Sequence, residues 1–172
     1  MSDSSDILEK INSLKEEFYS ENKKNILFKN KQKFDCANTI VQTMDLDVLF
    51  NSIIQVKENT FFFNYNIFKT IITPMVYMKF ISFIFEMNEK ILKDYFAYDV
   101  VIDCKGLTMT GVERYKDFIS LLSLKGQQNE KNFLQKLNRI MIINPPFMVS
   151  NIGKILLPLM DKGVKDKIVI QQ

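Results

Sequence analysis

The chain contains few residues of the types that catalyse reactions, and their spacing does not indicate a catalytic centre. It has no histidine, which excludes His-based acid–base catalysis, Ser-His-Asp and Cys-His nucleophiles, and the commonest zinc sites. The two cysteines, Cys36 and Cys104, are far apart without a CxxC or metal-ligand spacing, and we expect free thiols in a reducing compartment. Asp99 and Asp103 flank one predicted strand, where paired carboxylates are more often strand ends than a catalytic dyad. Glycine-rich phosphate-binding sequences are absent. We therefore expect no enzymatic activity, no metal and no cofactor.

The charge distribution is mild, with 23 basic residues nearly balanced by 20 acidic ones and a formal net charge of +3. No basic run is long enough to indicate a nucleic-acid partner. One local cluster contains Lys23, Lys24, Lys29, Lys31 and Lys33. A solvated loop is the simpler interpretation of this cluster, and attraction to an anionic membrane surface is the alternative.

Length and composition favour one soluble domain. A chain of 172 residues with 47% hydrophobic residues, 15 Phe and nine Met can fill a sizeable core. The Phe and Met content reflects either coding bias or a core that tolerates irregular cavities. Residues 1–10 do not read as a signal peptide, and the most apolar stretch, 71–85, is too short to span a bilayer and contains Pro74 and Lys79. We expect a cytoplasmic protein that associates peripherally with membranes.

Hydrophobic periodicity predicts helices that alternate with strands. Helices are predicted over residues 6–19, 45–55, 74–95, 112–124 and 148–160, with a short helical turn at 133–137. Strands are predicted at 60–65, 98–103, 140–143 and 167–170, and a polar loop at 22–33. This order predicts an α/β fold: a mostly parallel, mixed sheet covered by helices and joined by right-handed crossovers. We expect a short N-terminal helical region, 1–58, and a core, 59–172, within one compact domain.

The last third of the chain carries the most specific pattern. Four segments occur in order: Val101-Ile-Asp-Cys-Lys-Gly106, Ile142-Ile-Asn-Pro-Pro146, Leu157-Pro-Leu-Met-Asp161 and Lys167-Ile168. In this order and at this spacing, over about residues 60–170, they resemble the CRAL-TRIO lipid-binding family, in particular its phosphatidylinositol-transfer members. The resemblance implies the CRAL-TRIO-like fold and an apolar cavity for a phospholipid or another hydrophobic small molecule.

The resemblance also implies roles for individual residues. The helix at 148–160 corresponds to the family's lid over the cavity, and Lys167 matches a lysine that reaches the inositol phosphate. The residues expected to line the ligand site are Val100, Ile102, Met141, Phe147, Ile152, Ile155, Leu156, Leu159 and Lys167. Two simpler interpretations stay open: the apolar stripe of this helix covers the sheet as ordinary core, and Lys167 is a solvated residue at the start of a strand.

Departures from the family pattern limit the ligand prediction. Gln135 stands where an acidic partner is expected, and Tyr98 and Val100 stand at two hydroxyl positions that serve phosphatidylcholine. A generic phospholipid, fatty-acid or isoprenoid ligand therefore fits better than inositol/choline exchange. Expected partners are this ligand and, transiently, an anionic membrane surface, with a protein as a further candidate partner. The alternative function is a protein-interaction or membrane-adaptor module whose cavity has collapsed.

Overall fold

In the part of the chain that the structure describes, five strands form one mixed sheet in which the spatial order of the strands follows the chain. The computed structural model describes residues 4–129 and 133–171. The first strand is antiparallel to the second, and every later neighbour is parallel. This arrangement confirms the predicted α/β fold with a mostly parallel, mixed sheet. The strands are β1 (Ile54–Lys57), β2 (Thr60–Asn64), β3 (Tyr98–Asp103), β4 (Leu137–Ile143) and β5 (Ile168–Ile170).

Helices precede the sheet and connect its parallel strands. Three lie before β1, two connect β2 to β3, two connect β3 to β4, and the last two, with an intervening 3₁₀ turn, connect β4 to β5. The helices are α1 (Ser4–Glu21), α2 (Lys29–Thr43), α3 (Leu46–Ile53), α4 (Tyr65–Ile71), α5 (Tyr77–Asp94), α6 (Met109–Gln127), α7 (Phe133–Lys136), α8 (Val149–Leu156) and α9 (Lys162–Lys165), and the 3₁₀ turn is Leu157–Leu159.

Several element boundaries differ from the sequence prediction. The predicted helix at 148–160 is interrupted: α8 ends at Leu156, and Pro158 lies in the 3₁₀ turn. Proline lacks the N–H that would continue the α-helical hydrogen bonds, which explains the change of helix type. Four elements of the described residues were not predicted, namely α2, β1, α4 and α9. Residues 54 and 55 belong to β1 rather than to the end of a helix, because they pair with β2.

The strand order determines where the crossover helices lie. Connections between parallel strands are almost always right-handed. When each new strand is also added at the same edge of the sheet, right-handed connections place all the connecting helices on the same face. The core agrees with this rule. Phe68 of α4, Phe80 of α5 and Phe118 of α6 pack in one cluster with Phe61 of β2 and Tyr98 of β3. We call this side of the sheet the helical face and the other side the open face.

Strand register assigns side chains to the two faces, because successive residues of a strand point to opposite sides and paired residues share a side. Residues that share the helical face are Phe61, Phe63, Val100, Ile102, Ile140, Ile142 and Ile170. Residues that share the open face are Phe62, Val101, Met141 and Val169.

An aromatic cluster forms the centre of the core on the helical face. The ring of Phe68 lies 5.9 Å from that of Phe80 and 5.2 Å from that of Phe118, measured between centroids. The N-terminal helices join the same cluster through Ile11 of α1 and Ile40 of α2. The core therefore contains residues from both predicted regions of the chain, the N-terminal helical region, 1–58, and the region 59–172.

Truncation of Phe80 tests the importance of this cluster. Phe80 is fully buried, so Phe80→Ala is expected to lower the free energy of unfolding by about 3–5 kcal/mol, through lost apolar burial and the cavity left behind. Phe96 is 93% exposed, and the matched variant Phe96→Ala is expected to change that free energy by less than about 0.5 kcal/mol. Urea unfolding followed by circular dichroism measures both. Equal losses in the two variants would contradict this description of the core.

Candidate functional site

The two central strands of the sheet are incompletely covered. In β3 only Tyr98 is buried, and in β4 only Leu137, each at the start of its strand. The apolar residues that follow, Val100 to Ile102 and Ile140 to Ile143, are all half-buried. Central strands of a parallel sheet are normally packed on both faces. The carboxyl half of this sheet therefore presents apolar surface that the described part of the chain does not fill.

On the helical face, the uncovered surface forms a strip beside α8. Ile102, Ile142 and Ile170 are paired across β3, β4 and β5, and Ile170 is 46% exposed. The crossover helix α8, which connects β4 to β5, packs against α6. Only Ile152 among the α8 residues is buried. The strip therefore lies on the side of the sheet that α8 crosses, and α8 does not cover it fully.

The path from β4 to α8 is set by local residues. Asn144 follows β4 in the left-handed region, with φ of 49°, a conformation that asparagine tolerates better than most residues. Its side-chain Nδ2 donates a hydrogen bond to Asp103 Oδ1 at 2.9 Å, which ties the ends of β3 and β4 together. Pro145 and Pro146 then prevent the strand from continuing, since proline cannot donate to the ladder. The Asn-Pro-Pro segment thus redirects the chain into α8.

The structure separates the predicted lining residues into groups. Val100 and Ile102 share the helical face, which is the side that α8 crosses. Met141 points to the open face, and Phe147 is fully exposed in the connection before α8. In and after α8, Ile152 is buried, whereas Ile155, Leu156 and Leu159 are half-buried. A contact of any of them with a ligand stays a prediction.

Ile142 and Ile170 were not among the predicted residues although they complete the strip. Their membership follows from the register, in which Ile142 pairs with both Ile102 and Ile170. A run of consecutive apolar residues such as Ile140-Met-Ile-Ile143 does not reveal which of its members faces which side. Only the pairing with β3 and β5 supplies that information.

The open face carries a second apolar band. Phe62 is 41% exposed and Val169 is 51% exposed, with Val101 and Met141 between them. A concavity of about 200 Å³ lies at one end of this band, bounded by Phe62, Val101 and Ile143 among others. Another concavity, of about 350 Å³, lies between α3, β1 and α5. Neither of these two is lined by residues of α8.

Lys167 has a structural contact. Its ammonium group donates hydrogen bonds to the carbonyl oxygens of Leu134, at 3.0 Å, and of Leu137. A lysine ammonium has three donors, so these bonds use two of them. These hydrogen bonds connect the residue just before β5 to α7 and to the first residue of β4. The predicted contact between Lys167 and a phosphate stays a prediction.

The buried nucleophilic groups are not activated. Burial, and then the neighbouring Asp103, raises the pKa of the Cys104 thiol to about 11. Burial also raises the pKa of Cys36. Both thiols are therefore protonated at neutral pH, and the thiolate is the reactive form. Within residues 4–129 and 133–171 there is no cluster of three or more His, Cys, Asp or Glu suited to a metal ion. No helix in those ranges is long and apolar enough to cross a membrane.

Substitution of Lys167 tests its structural role. Lys167→Met keeps most of the aliphatic chain but removes two charge-assisted hydrogen bonds and leaves two carbonyls without this donor. We expect a loss of about 1–3 kcal/mol in the free energy of unfolding, measured by urea denaturation. Lys162→Met, at an exposed position of α9, is the matched control and should change it by less than about 0.5 kcal/mol. A Lys167→Met protein as stable as wild type would show that these bonds do not hold β5.

Comparison with known proteins identifies the family. The family model of the CRAL/TRIO domain matches residues 60–172, from the first residue of β2 onward and more than half of the chain. No curated protein matches the chain significantly. Domains of this family generally bind hydrophobic small molecules such as lipids, without catalysis. The match includes all four parallel strands, β2 to β5, and this chain belongs to the CRAL/TRIO domain family.

Proposed function

We propose that this protein binds, and transfers, a phospholipid or another hydrophobic small molecule between the helical face of its sheet and α8, without catalysing a reaction. Membership of the CRAL/TRIO domain family supports a hydrophobic ligand in general. The observation that carries the proposed location is the partial exposure of Ile102, Ile142 and Ile170 on the side that α8 crosses. Each buried CH₂ of an acyl chain would contribute about 0.8 kcal/mol to binding.

The segment at 148–160 is proposed as the lid. With one buried residue, α8 is less firmly anchored than the longer crossover helices α5 and α6, which each bury several. In the proposed closed form, Ile155, Leu156 and Leu159 contact the ligand. Exchange of ligand requires α8 to move away from the strip at a membrane surface.

Gly153 is consistent with a movable α8. A Cβ at this position would meet Leu157 Cδ1 at 3.7 Å, an ordinary contact, so close packing does not require glycine here. Glycine in a helix interior lowers helix stability by roughly 0.5–1 kcal/mol relative to alanine. A weakened helix suits a segment that must change position.

The proposed ligand is not recognised through a choline site. Tyr98, which stands at one of the family's hydroxyl positions, is only 5% exposed. Burial raises the pKa of Tyr98 to about 12, so the hydroxyl stays neutral. The other position is Val100, which has no polar group. Apolar burial rather than choline recognition therefore supplies the affinity in this proposal.

A pair of neighbouring substitutions on β4 tests this function and its location. Ile142→Phe fills the strip on the helical face, whereas Met141→Phe adds a ring of the same size to the open face, and phenylalanine is favoured in strands at both. We expect protein purified from cells to carry lipid in native mass spectrometry and to take up labelled phospholipid from liposomes. Ile142→Phe should reduce loading at least about tenfold, by displacing two or more CH₂ groups. Met141→Phe should load like wild type.

Thermal unfolding by circular dichroism must first show that both variants are folded. A homogeneous ligand-free mass together with no uptake from liposomes would contradict the proposed function. That result would favour the alternative, a protein-interaction or membrane-adaptor module with a collapsed cavity. Reduced loading in Met141→Phe alone would move the site to the open face.

A further inference from the structure

The connection between α1 and α2 exposes three consecutive apolar side chains. Ile26 is 90% exposed, Leu27 is 88% exposed and Phe28 is 63% exposed. We call these three residues the apolar tip. Single exposed hydrophobic residues are common, but a contiguous group marks a contact surface. The tip lies outside residues 60–172, so it is not part of the matched domain.

Side-chain hydrogen bonds hold the chain around the apolar tip. Asn25 Oδ1 accepts hydrogen bonds from the backbone N–H groups of Leu27 and Phe28, both at 2.9 Å. The Gln32 amide closes the base of the loop: its Oε1 accepts from Asn25 N, and its Nε2 donates to Lys23 O, both at 2.8 Å. The tip is therefore presented in a defined conformation, which lowers the entropy lost when it binds.

The chain around the apolar tip is strongly basic. Between residues 22 and 34 there are five lysines and no acidic residue, and the nearest carboxylates in sequence are Glu21 and Asp35. The ion pairs Lys116–Glu113 and Arg139–Asp99 of the described residues lie elsewhere and involve none of these lysines. The five lysines are Lys23, Lys24, Lys29, Lys31 and Lys33.

Cations from other helices extend this basic surface. The guanidinium of Arg114 on α6 donates a hydrogen bond to Asn30 Oδ1 at 2.7 Å, which places it beside the loop. Partial burial lowers the pKa of Lys33, and so does repulsion from Arg114, Lys29, Lys69 and Lys15. Positively charged side chains of α1, α2, α4 and α6 thus repel one another around Lys33. A nearby anionic surface would reduce this repulsion.

We propose that the loop between α1 and α2, together with the first residues of α2 (23–33 in all), docks the protein on an anionic lipid bilayer. The apolar tip enters the boundary between headgroups and acyl chains, and the surrounding lysines contact anionic headgroups. A bilayer offers an apolar layer directly below a layer of negative charge, which matches this arrangement. A nucleic acid offers phosphates but no comparable apolar layer, and the tip is exposed on a connection rather than recessed in a groove that would suit a peptide. This docking does not depend on where the hydrophobic ligand binds.

Partition of the full chain onto vesicles tests the proposal. We expect stronger binding to phosphatidylcholine vesicles that contain phosphatidylserine than to pure phosphatidylcholine. Ile26→Ser/Leu27→Ser should lower the partition coefficient at least about tenfold, because two exposed apolar side chains no longer enter the bilayer. Lys29→Gln/Lys31→Gln should lower it by about 25-fold at low salt on the anionic vesicles, at roughly fivefold for each lysine.

Matched variants elsewhere on the surface serve as controls. Phe96→Ser removes a side chain that is 93% exposed, and Lys57→Gln/Lys90→Gln removes two exposed charges outside the loop. Both should bind vesicles like wild type. Equal binding to vesicles with and without phosphatidylserine, or wild-type binding by the Ile26/Leu27 variant, would overturn the proposal. Native mass spectrometry of the loop variants should show unchanged ligand content, so failure of docking and failure of ligand binding are separate results.

Discussion

The order of the strands is the constraint on which the rest of the structure depends. Because each parallel strand is added next to the previous one, right-handed crossovers place the connecting helices on one face of the sheet, and the core residues of α4, α5 and α6 agree with this placement. The aromatic residues of α4, α5 and α6 fill the amino-terminal half of this face. The last crossover contributes only the short helix α8, whose main contact is with α6. The apolar carboxyl half of β3 to β5 is left with incomplete cover, and this uncovered surface is what a hydrophobic ligand would bury.

Much of this arrangement could be predicted from the sequence. The strand at 98–103 and the helix before it follow from their hydrophobic patterns, and four short segments of the last third indicated the family. The missed helix α2 begins Lys-Asn-Lys-Gln-Lys, so its narrow apolar face, Cys36 to Val41, was not recognised. Met141 was predicted to line the site, whereas the register places it on the open face of the sheet. Four consecutive apolar residues give no sign of which one faces α8 until the register is known. Likewise, nothing local to Lys167 indicates that carbonyls of residues 134 and 137 accept its hydrogen bonds.

The two surfaces proposed to act at a membrane have different origins. The strip beside α8 consists of strand residues of the CRAL/TRIO domain, and its exposure follows from the topology. The apolar tip belongs to the preceding helical region, where hydrogen bonds of Asn25 and Gln32 keep three apolar residues in water. That region also shares its core with the domain, through Ile11 and Ile40. Docking through the tip and opening of α8 would therefore take place on one packed unit, with separate residues responsible for each.

The position of the ligand relative to the two faces of the sheet is the most direct test. In a protein with isotope-labelled Ile and Val methyl groups, a phospholipid that carries a nitroxide on its acyl chain broadens the NMR signals of nearby methyls. We predict that the methyl signals of Ile102 and Ile142 broaden when this lipid is taken up, whereas those of Val101 and Val169 on the open face keep their intensity. Broadening confined to Val101 and Val169, or no selective broadening at all, would contradict a ligand site between the sheet and α8.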